Sequence, residues 1–250
     1  MTSITQTIKE QCRQLRLPAI AARLEDAVMQ AESEKLTYLA FTNILFHAEI
    51  QQRMTKEKQR RYKLASLPLS YNLDTYDYSS PSALDAKQLK TLRELSWVEQ
   101  NYNLILMGPS GTGKTFIAAG LCFDAIEQGY RAYFQTMESL LKTLKMKDLT
   151  KKAAIEYKRI SLAHLLVIDD IMMFPVSKTD AVALFNLINE LHEKTSIIIT
   201  TNKAPIEWAE MLNDPILTTA ILDRLLFRCE IVKLEGKSFR MQNRKSIFEQ

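Results

Sequence analysis

The sequence predicts an α/β fold in which a parallel five-stranded sheet carries helices on both faces, preceded by a small all-helical N-terminal domain. Three observations support this prediction. From about residue 100 onward, short apolar strands alternate with helical segments, as expected for a parallel sheet covered on both faces. A glycine-rich loop separates the first of these strands from a helix. Before about residue 65, apolar residues recur at helical spacing.

The N-terminal region is predicted to form three helices. Two cover the segments SITQTIKEQCRQL and PAIAARLEDAVMQAE, and Pro18 suits the first turn of the second helix. A longer helix is expected from about residue 36 to residue 62. A linker rich in Ser, Asp and Pro follows, and it places a domain boundary between helical residues 1–70 and an α/β domain of residues 71–250.

The α/β region is predicted to contain five strands, each a short apolar run bounded by turn signals or by helical segments. Their expected positions are residues 103–107, 131–136, 163–170, 196–202 and 228–234. Ser177 and Asp180 have the spacing of a helix-capping pair ahead of the helical segment DAVALFNLINELHEK.

Composition excludes several classes of protein. Apolar residues make up 46% and charged residues 25% of the 250 residues, which allows an ordinary globular core. Cys12, Cys122 and Cys229 are isolated, so a disulfide framework is not expected and a reducing, cytoplasmic compartment fits. The three histidines are scattered and suggest no metal cluster. Neither a signal sequence nor a membrane-spanning run is evident, so no membrane partner is predicted.

Three of the six glycines lie within six consecutive positions between the first strand and its helix. The loop consists of Gly108, Pro109, Ser110, Gly111, Thr112 and Gly113, and Lys114 and Thr115 follow it. This G-x-x-x-x-G-K-T spacing is typical of a phosphate-binding loop, because glycines let backbone amides approach an anion at a helix N-terminus. Lys114 would bind the β- and γ-phosphates and the Thr115 hydroxyl would bind Mg²⁺. The alternatives are a turn that binds nothing and a G-x-S-x-G nucleophile elbow, which Thr112 excludes.

Polar residues end two further predicted strands. Asp169 is placed to hold Mg²⁺ through water, and Asp170 to orient or deprotonate an attacking water. Asn202 would lie beside the first strand, within reach of that water. The alternative interpretation is two solvated acids in a turn and an asparagine that merely caps the next helix.

Arginines near the C-terminus are candidates for contacts between subunits. Arg224 lies too far along the chain to join its own phosphate site easily, and it could reach the nucleotide of a neighbouring subunit. Arg228 is the substitute candidate, and an ordinary salt bridge with Asp223 or Glu230 is the alternative. Arg240 is a further candidate for contacting phosphate or the adjacent protomer.

Two groups of basic residues could bind DNA phosphates. The first, on the long N-terminal helix, contains Arg53, Lys56, Arg60, Arg61 and Lys63. The second, after the second strand, contains Lys142, Lys145 and Lys147. Neither group has interleaved aromatic residues suited to base stacking, so contacts to a duplex backbone are favoured over a single strand. The alternative for both groups is a solvated helix face.

The motifs GPSGTGKT, LLVIDD, IITTN and ILDRLL, in this order and spacing, resemble those of the AAA+ ATPases. The resemblance is greatest to the branch that holds the helicase loader DnaC and the insertion-sequence helper ATPase IstB. The segments LRLPAIAARLEDAVMQ, AEIQQRMTKEKQRRYKLASLP, YRAYFQTMESLLKTL and GKSFR are similar to IstB-type transposition proteins, so the resemblance covers nearly the whole chain.

The resemblance implies an ATPase that uses ATP and Mg²⁺, forms a homo-oligomeric ring or spiral on double-stranded DNA, and recruits and stimulates a transposase. It assigns the phosphate loop to Lys114 and Thr115, the metal acid to Asp169, the catalytic acid to Asp170, the sensor to Asn202 and the arginine finger to Arg224. Two departures stand out. Asp170 replaces the glutamate of many members, which implies slow hydrolysis, and the usual C-terminal helical lid is not expected after the last strand.

Two other functions remain open from the sequence. A helicase loader shares the same ATPase core but engages a helicase through its N-terminal region. A small-molecule kinase would need arginines over the phosphates and an acceptor pocket, and the sequence indicates neither.

Overall fold

The computed structural model describes residues 2–78, 84–212, 214–236 and 238–242, without the side chains of residues 2, 3, 240 and 242. The chain divides into two compact units, Met1–Arg60 and Arg61–Gln250. The domain boundary at residue 70 stays a prediction of the sequence, and Pro81 of the expected linker lies outside the described residues.

The N-terminal unit is helical, as predicted. It comprises α1 (Thr2–Gln14), α2 (Pro18–Glu34) and the first part of α3 (Tyr38–Ala65). The buried carboxylate of Glu49 on α3 accepts hydrogen bonds from the backbone amides of Ala19 at 2.8 Å and Ile20 at 3.3 Å. These amides lack partners within the first turn of α2, so a side chain of α3 caps that helix.

The second unit contains a five-stranded sheet in which all pairs are parallel. The strands are β1 (Asn103–Met107), β2 (Ala132–Thr136), β3 (Leu165–Asp169), β4 (Ser196–Thr201) and β5 (Cys229–Lys233). Their order across the sheet is β2-β3-β4-β1-β5. The predicted fold class and all five predicted strands are confirmed.

Helices cover both faces of the sheet because successive strand residues point to opposite sides. The helices of this unit are α4 (Ala86–Arg93), α5 (Ser96–Glu99), α6 (Lys114–Glu127), α7 (Met137–Met146), α8 (Lys151–Ser161), α9 (Lys178–Leu191), α10 (Trp208–Leu212), α11 (Pro215–Leu226) and α12 (Phe239–Gln242). Leu104 and Leu106 of β1 join a buried cluster with α6, whereas Ile105 joins a second cluster with α7, α9 and α11. The Ser177 hydroxyl accepts a hydrogen bond from the Asp180 amide at 3.2 Å and caps α9, as predicted.

The strand order decides where a ligand site can form. Strands β3, β4 and β1 are neighbours, so their carboxyl ends at Asp169, Thr201 and Met107 meet at one edge of the sheet. Ligands of open parallel sheets bind at this edge, in the crevice beyond the strand ends. Among the described residues, no helix combines the length and the apolarity that a membrane span requires.

Candidate nucleotide-binding site

The glycine loop joins β1 to α6 at the carboxyl edge of the sheet. Its last glycine, Gly113, precedes the first turn of α6 with a φ of 94°. The Gly113 carbonyl accepts the amide of Ile117 at 2.9 Å, so the helix begins directly at the loop. A helix N-terminus of this kind presents unpaired amides and a positive dipole end to an anion.

Two of the three loop glycines are required by contacts with the chain itself. A Cβ on Gly108 would lie 1.9 Å from the carbonyl oxygen of Leu234, and a Cβ on Gly111 would lie 2.1 Å from the Ser238 hydroxyl. The Phe239 amide also donates to the Gly111 carbonyl at 2.9 Å. A Cβ on Gly113 would meet nothing within 4 Å. Leu234, Ser238 and Phe239, called the strap below, therefore lie directly against the loop, a contact that sequence reasoning missed.

The Lys114 side chain folds back over the loop. It is buried, and its ammonium donates to the carbonyls of Gly108 and Pro109, both at 2.7 Å. The Thr112 hydroxyl donates to the same Pro109 carbonyl at 2.9 Å. An ammonium held against loop carbonyls lies where phosphate oxygens bind in loops of this type, and a charged phosphate is the stronger acceptor.

Thr115 and Asp169 bring two oxygen ligands together beside the loop. The Thr115 hydroxyl donates to the two Asp169 carboxylate oxygens at 3.0 and 3.3 Å. A hydroxyl and a carboxylate fit a hard cation such as Mg²⁺, which is held in nucleotide sites by one or two protein oxygens together with phosphates. The two residues are 54 positions apart in the sequence. Sequence reasoning assigned both to one metal site, and the structure brings them into contact.

The environment of Asp169 resists ionisation. Burial raises the pKa of its carboxyl above the usual value, and the charge of Asp170 raises it further. Hydrogen bonds from Thr200 and Thr115, and the charge of Lys114, oppose these effects without cancelling them. A divalent cation would favour the ionised form, because it adds positive charge at the carboxylate.

Asp170 and Asn202 follow the ends of β3 and β4. Asp170 is half-buried and has a φ of 55°, an uncommon conformation for a residue with a side chain. The Asn202 side-chain amide donates to the hydroxyl of Ser110 in the glycine loop at 3.2 Å. The Asn202 side chain thus contacts the glycine loop, whereas the N-cap of the next helical turn is Ala204; the sensor role of Asn202 stays a prediction.

Comparison with known proteins assigns the family. Residues 10–247 match the family of IstB-like ATP binding proteins. The chain belongs to this family. An IS21-like insertion-sequence protein of Bacteroides fragilis, named for ATP binding, is 50% identical over 239 residues, which cover 96% of this chain and 91% of the relative. The family assignment makes the chain an ATP-binding AAA+ protein, and ATPase activity is consistent with it.

Solved structures agree on the fold of this IstB-like protein. AMPPCP-bound DnaA from Aquifex aeolicus has a TM-score of 0.54 at 19% identity and covers 70% of this chain and 53% of its own. The DnaC helicase loader has a TM-score of 0.52 at 20% identity and covers 65% of this chain and 96% of its own. At these identities the likeness concerns the fold alone.

Arg224 of the IstB-like protein lies away from its own phosphate loop. Its guanidinium donates to the Asn189 side chain and to the Ala220 carbonyl, both at 2.8 Å, and lies 4.9 Å from the Phe185 ring centroid. The residue lines a shallow cleft together with Asn103, which begins β1, whereas the loop follows the other end of that strand. Arg224 therefore lies towards the end of β1 opposite to the loop, and its role as an arginine finger stays a prediction.

Two further arginine predictions have different outcomes. Arg228 donates to the Gln100 carbonyl at 3.3 Å and lines the same cleft as Arg224. Arg240 belongs to α12, which begins at Phe239 of the strap, but its side chain lies outside the described residues. Its assignment as a nucleotide contact stays a prediction.

The first basic group on α3 is partly engaged in local bonds. Arg53 donates to the Glu49 carboxylate at 2.9 Å and to the Arg16 carbonyl at 2.7 Å, both within the N-terminal unit. Arg60 forms an ion pair with Glu57 at 2.8 Å. These bonds assign Arg53 a part in folding the N-terminal unit that composition alone did not indicate.

The remaining members of this group differ in exposure. Arg61 is half-buried and donates to the Gly129 carbonyl beyond the end of α6. Lys56 and Lys63 are exposed, and the Lys56 ammonium lies 3.4 Å from the side-chain oxygen of Gln52. Lys56 and Lys63 are seven positions apart, about two helical turns, so they lie on one face of α3.

The second basic group lies at and just beyond the end of α7. Lys145 forms an ion pair at 2.9 Å with the buried carboxylate of Asp180, and the Lys147 ammonium lies 4.1 Å from the Tyr157 ring centroid. Lys142 is exposed on the same helix. The group is therefore a mixture of structural and exposed cations.

Proposed function

We propose that the protein binds and hydrolyses ATP with Mg²⁺, assembles as a homo-oligomer on duplex DNA, and assists a transposase in DNA transposition. The observation that supports this most directly is the convergence of Lys114, Thr115, Asp169 and Asn202 at the carboxyl edge of the sheet. The relative at 50% identity belongs to an insertion sequence, which gives this nucleotide site its biological setting.

Each site residue has a distinct role in this proposal. Lys114 and the loop amides bind the β- and γ-phosphates, while Thr115 and Asp169 hold Mg²⁺, which neutralises charge on the phosphate oxygens. Asp170 orients or deprotonates the attacking water, and Asn202 positions it from the end of the neighbouring strand β4. The contact between Asn202 and Ser110 supports this role, because it holds the amide group at the loop.

Hydrolysis is proposed to require a second subunit. Transition-state charge at the γ-phosphate calls for an arginine, and Arg224 is directed away from its own loop. An arginine near the amino ends of the strands is placed to act on a nucleotide held by a neighbouring protomer. This arrangement makes the ATPase activity dependent on assembly.

Duplex DNA is the proposed template for this assembly. Lys56, Lys63 and Lys142 are exposed cations suited to phosphate contacts. Arg60 and Arg61 form local bonds as well, so their contribution to DNA binding is expected to be smaller. A transposase is the proposed protein partner because the similar proteins are encoded by insertion sequences.

Light scattering tests the assembly directly. The particle mass is measured with ATP and a duplex of 50 base pairs, and with ATP and a single strand of equal length. A large, ATP-dependent particle on the duplex supports the proposal. Assembly only on the single strand, or only with a replicative helicase present, would favour a helicase loader.

The variant Asp170→Asn tests the catalytic assignment. Loss of a general base costs about 100-fold or more in rate, so hydrolysis should fall by at least that factor while ATP binding persists. The DNA-bound assembly should then accumulate. Hydrolysis at the parental rate would show that Asp170 is not the general base.

A further inference from the structure

Thr200, the penultimate residue of β4, lies between the two acids of the site. It is fully buried, and its position on β4 faces the end of β3. Its hydroxyl donates to the Asp169 carboxylate at 2.5 Å and accepts the backbone amide of Asp170 at 2.8 Å. The single hydroxyl therefore donates its proton to the carboxylate of Asp169 and accepts a hydrogen bond from the backbone amide of Asp170.

The main chain of Thr200 extends the same contact. Its carbonyl accepts the amide of Ile171 at 3.0 Å, so Thr200 bonds to three consecutive residues at the end of β3. Asp170, the middle of these three, has a φ of 55°. A residue with a side chain rarely keeps this conformation unless its surroundings hold it there. The bond from its amide to the Thr200 hydroxyl is such a restraint.

We infer that Thr200 is a positioning residue for the metal–nucleotide complex, fixing the carboxylate of Asp169 and the backbone of Asp170 with one hydroxyl. This inference rests on the proposed function of the site. Because Thr200 binds the Oδ1 atom of Asp169, the carboxylate cannot rotate without losing that bond. Both carboxylate oxygens, with Oδ1 at 3.0 Å and Oδ2 at 3.3 Å from the Thr115 hydroxyl, are thereby kept beside the first turn of α6.

A purely structural role makes a different prediction from a positioning role. Thr195, which directly precedes the other end of β4, is also buried and donates to the Ala163 carbonyl at 2.9 Å, away from the acids. Removing either hydroxyl leaves a buried group without its partner and lowers stability. Only the loss of the Thr200 hydroxyl should change how the site responds to a metal ion.

The test compares Thr200→Val with Thr200→Ser and with the matched control Thr195→Val. Affinity for a fluorescent ATP analogue is measured in Mg²⁺ and in EDTA, and Mn²⁺ binding is followed by electron paramagnetic resonance. Loss of a residue that orients a metal ligand typically weakens metal binding about 10- to 100-fold. We expect that loss for Thr200→Val in both metal readouts, with affinity in EDTA changed less than about twofold.

The serine variant and the control complete the test. Thr200→Ser keeps the hydroxyl and should restore metal-dependent binding to near the parental value, and Thr195→Val should match the parent in both readouts. Parental metal dependence in Thr200→Val, or an equal loss in Thr195→Val, overturns the inference. If Thr200→Val does not fold, Thr200→Ala provides the same comparison, and absence of ATP binding by the parent would contradict the proposed function instead.

Discussion

The glycine loop and the basic stretch of α3, residues 53–63, use charge in opposite ways. At the loop, the ammonium of Lys114 lies against carbonyl oxygens and the carboxylate of Asp169 lies against hydroxyls. In the basic stretch, Arg53 pairs with the buried carboxylate of Glu49. The hydrogen bonds that Lys114 donates at the loop go to neutral carbonyls, whereas Arg53 donates to a carboxylate.

This difference explains why the two regions were not equally predictable. A phosphate loop is defined by spacing, so its residues have fixed positions relative to one another once the strand and the helix form. A basic stretch is defined by composition, and composition does not predict which basic side chain will form an ion pair with an acidic residue. A cation that is bonded to a buried acid contributes to folding before it contributes to a ligand.

Removing the central charge of the loop should have the largest effect. Lys114→Ala loses an ammonium that would bind phosphates, and charge-assisted hydrogen bonds contribute up to about 3 kcal/mol, roughly 150-fold in affinity. Titration with a fluorescent ATP analogue measures the loss. Lys63→Ala, an exposed lysine of the basic stretch, is the control and should bind ATP as the parent does. Similar losses in the two variants would contradict the assignment of the loop.

The contact between the strap and the glycine loop provides the next test. Gly111→Ala places a Cβ 2.1 Å from the Ser238 hydroxyl at a φ of 82°, and should lower the free energy of unfolding by about 2 kcal/mol. Gly113→Ala has the positive φ without the contact and should cost about 1 kcal/mol. Chemical denaturation measures both. Adding Ser238→Gly should recover part of the Gly111→Ala loss, and no recovery would show that the strap contact is not the cause.

A substitution at Glu49 tests whether its charge stabilises the fold of the N-terminal unit. Burial opposes ionisation of Glu49, but its hydrogen bonds with Arg53, Ala19 and Ile20 outweigh burial and lower its pKa. A lowered carboxyl pKa stabilises the fold above the ordinary value of 4.5, and this stability is lost as the pH falls through the folded pKa. Glu49→Gln should therefore cost about 1 to 2 kcal/mol at pH 7.

The pH dependence of that cost is the decisive measurement. Unfolding of the parent and of Glu49→Gln is compared between pH 7 and pH 3, and the difference should shrink as the pH falls below 4.5. Glu25→Gln, at an acid that is 64% exposed, is the matched control and should show a small difference at every pH. A difference for Glu49→Gln that stays constant with pH would mean that the charge of Glu49 does not stabilise the fold.

The smallest effect is expected at the exposed face of the basic stretch. Lys56→Ala should weaken duplex binding about two- to threefold at moderate salt and lower the slope of log affinity against log salt by about 0.9. Fluorescence anisotropy at several salt concentrations measures both quantities. Arg53→Ala should reduce stability more than it reduces this slope, because its guanidinium bonds to Glu49 and Arg16. An unchanged slope in Lys56→Ala would place the DNA contact elsewhere.

Some residues of the site could be predicted from the sequence and others could not. The spacing of the loop, the acids after β3 and Asn202 after β4 predicted the nucleotide site, because parallel strands bring their carboxyl ends to one edge. Thr200 was missed although it directly precedes Thr201 and Asn202, since no pattern tells which strand residue faces a neighbouring acid. Ser238 and Phe239 of the strap lie in the segment GKSFR, but nothing in the sequence indicated that they contact Gly111.

The sequence by itself determined the elements, their order and the chemistry of the loop, because these depend on local periodicity and on residue spacing. Tertiary structure alone decided that the strap requires glycine at positions 108 and 111, that one threonine joins two acids, and that Glu49 of α3 caps α2. Each of these contacts joins residues brought together by the sheet or by helix packing. Such pairings depend on the register and direction of whole elements, which local sequence does not encode.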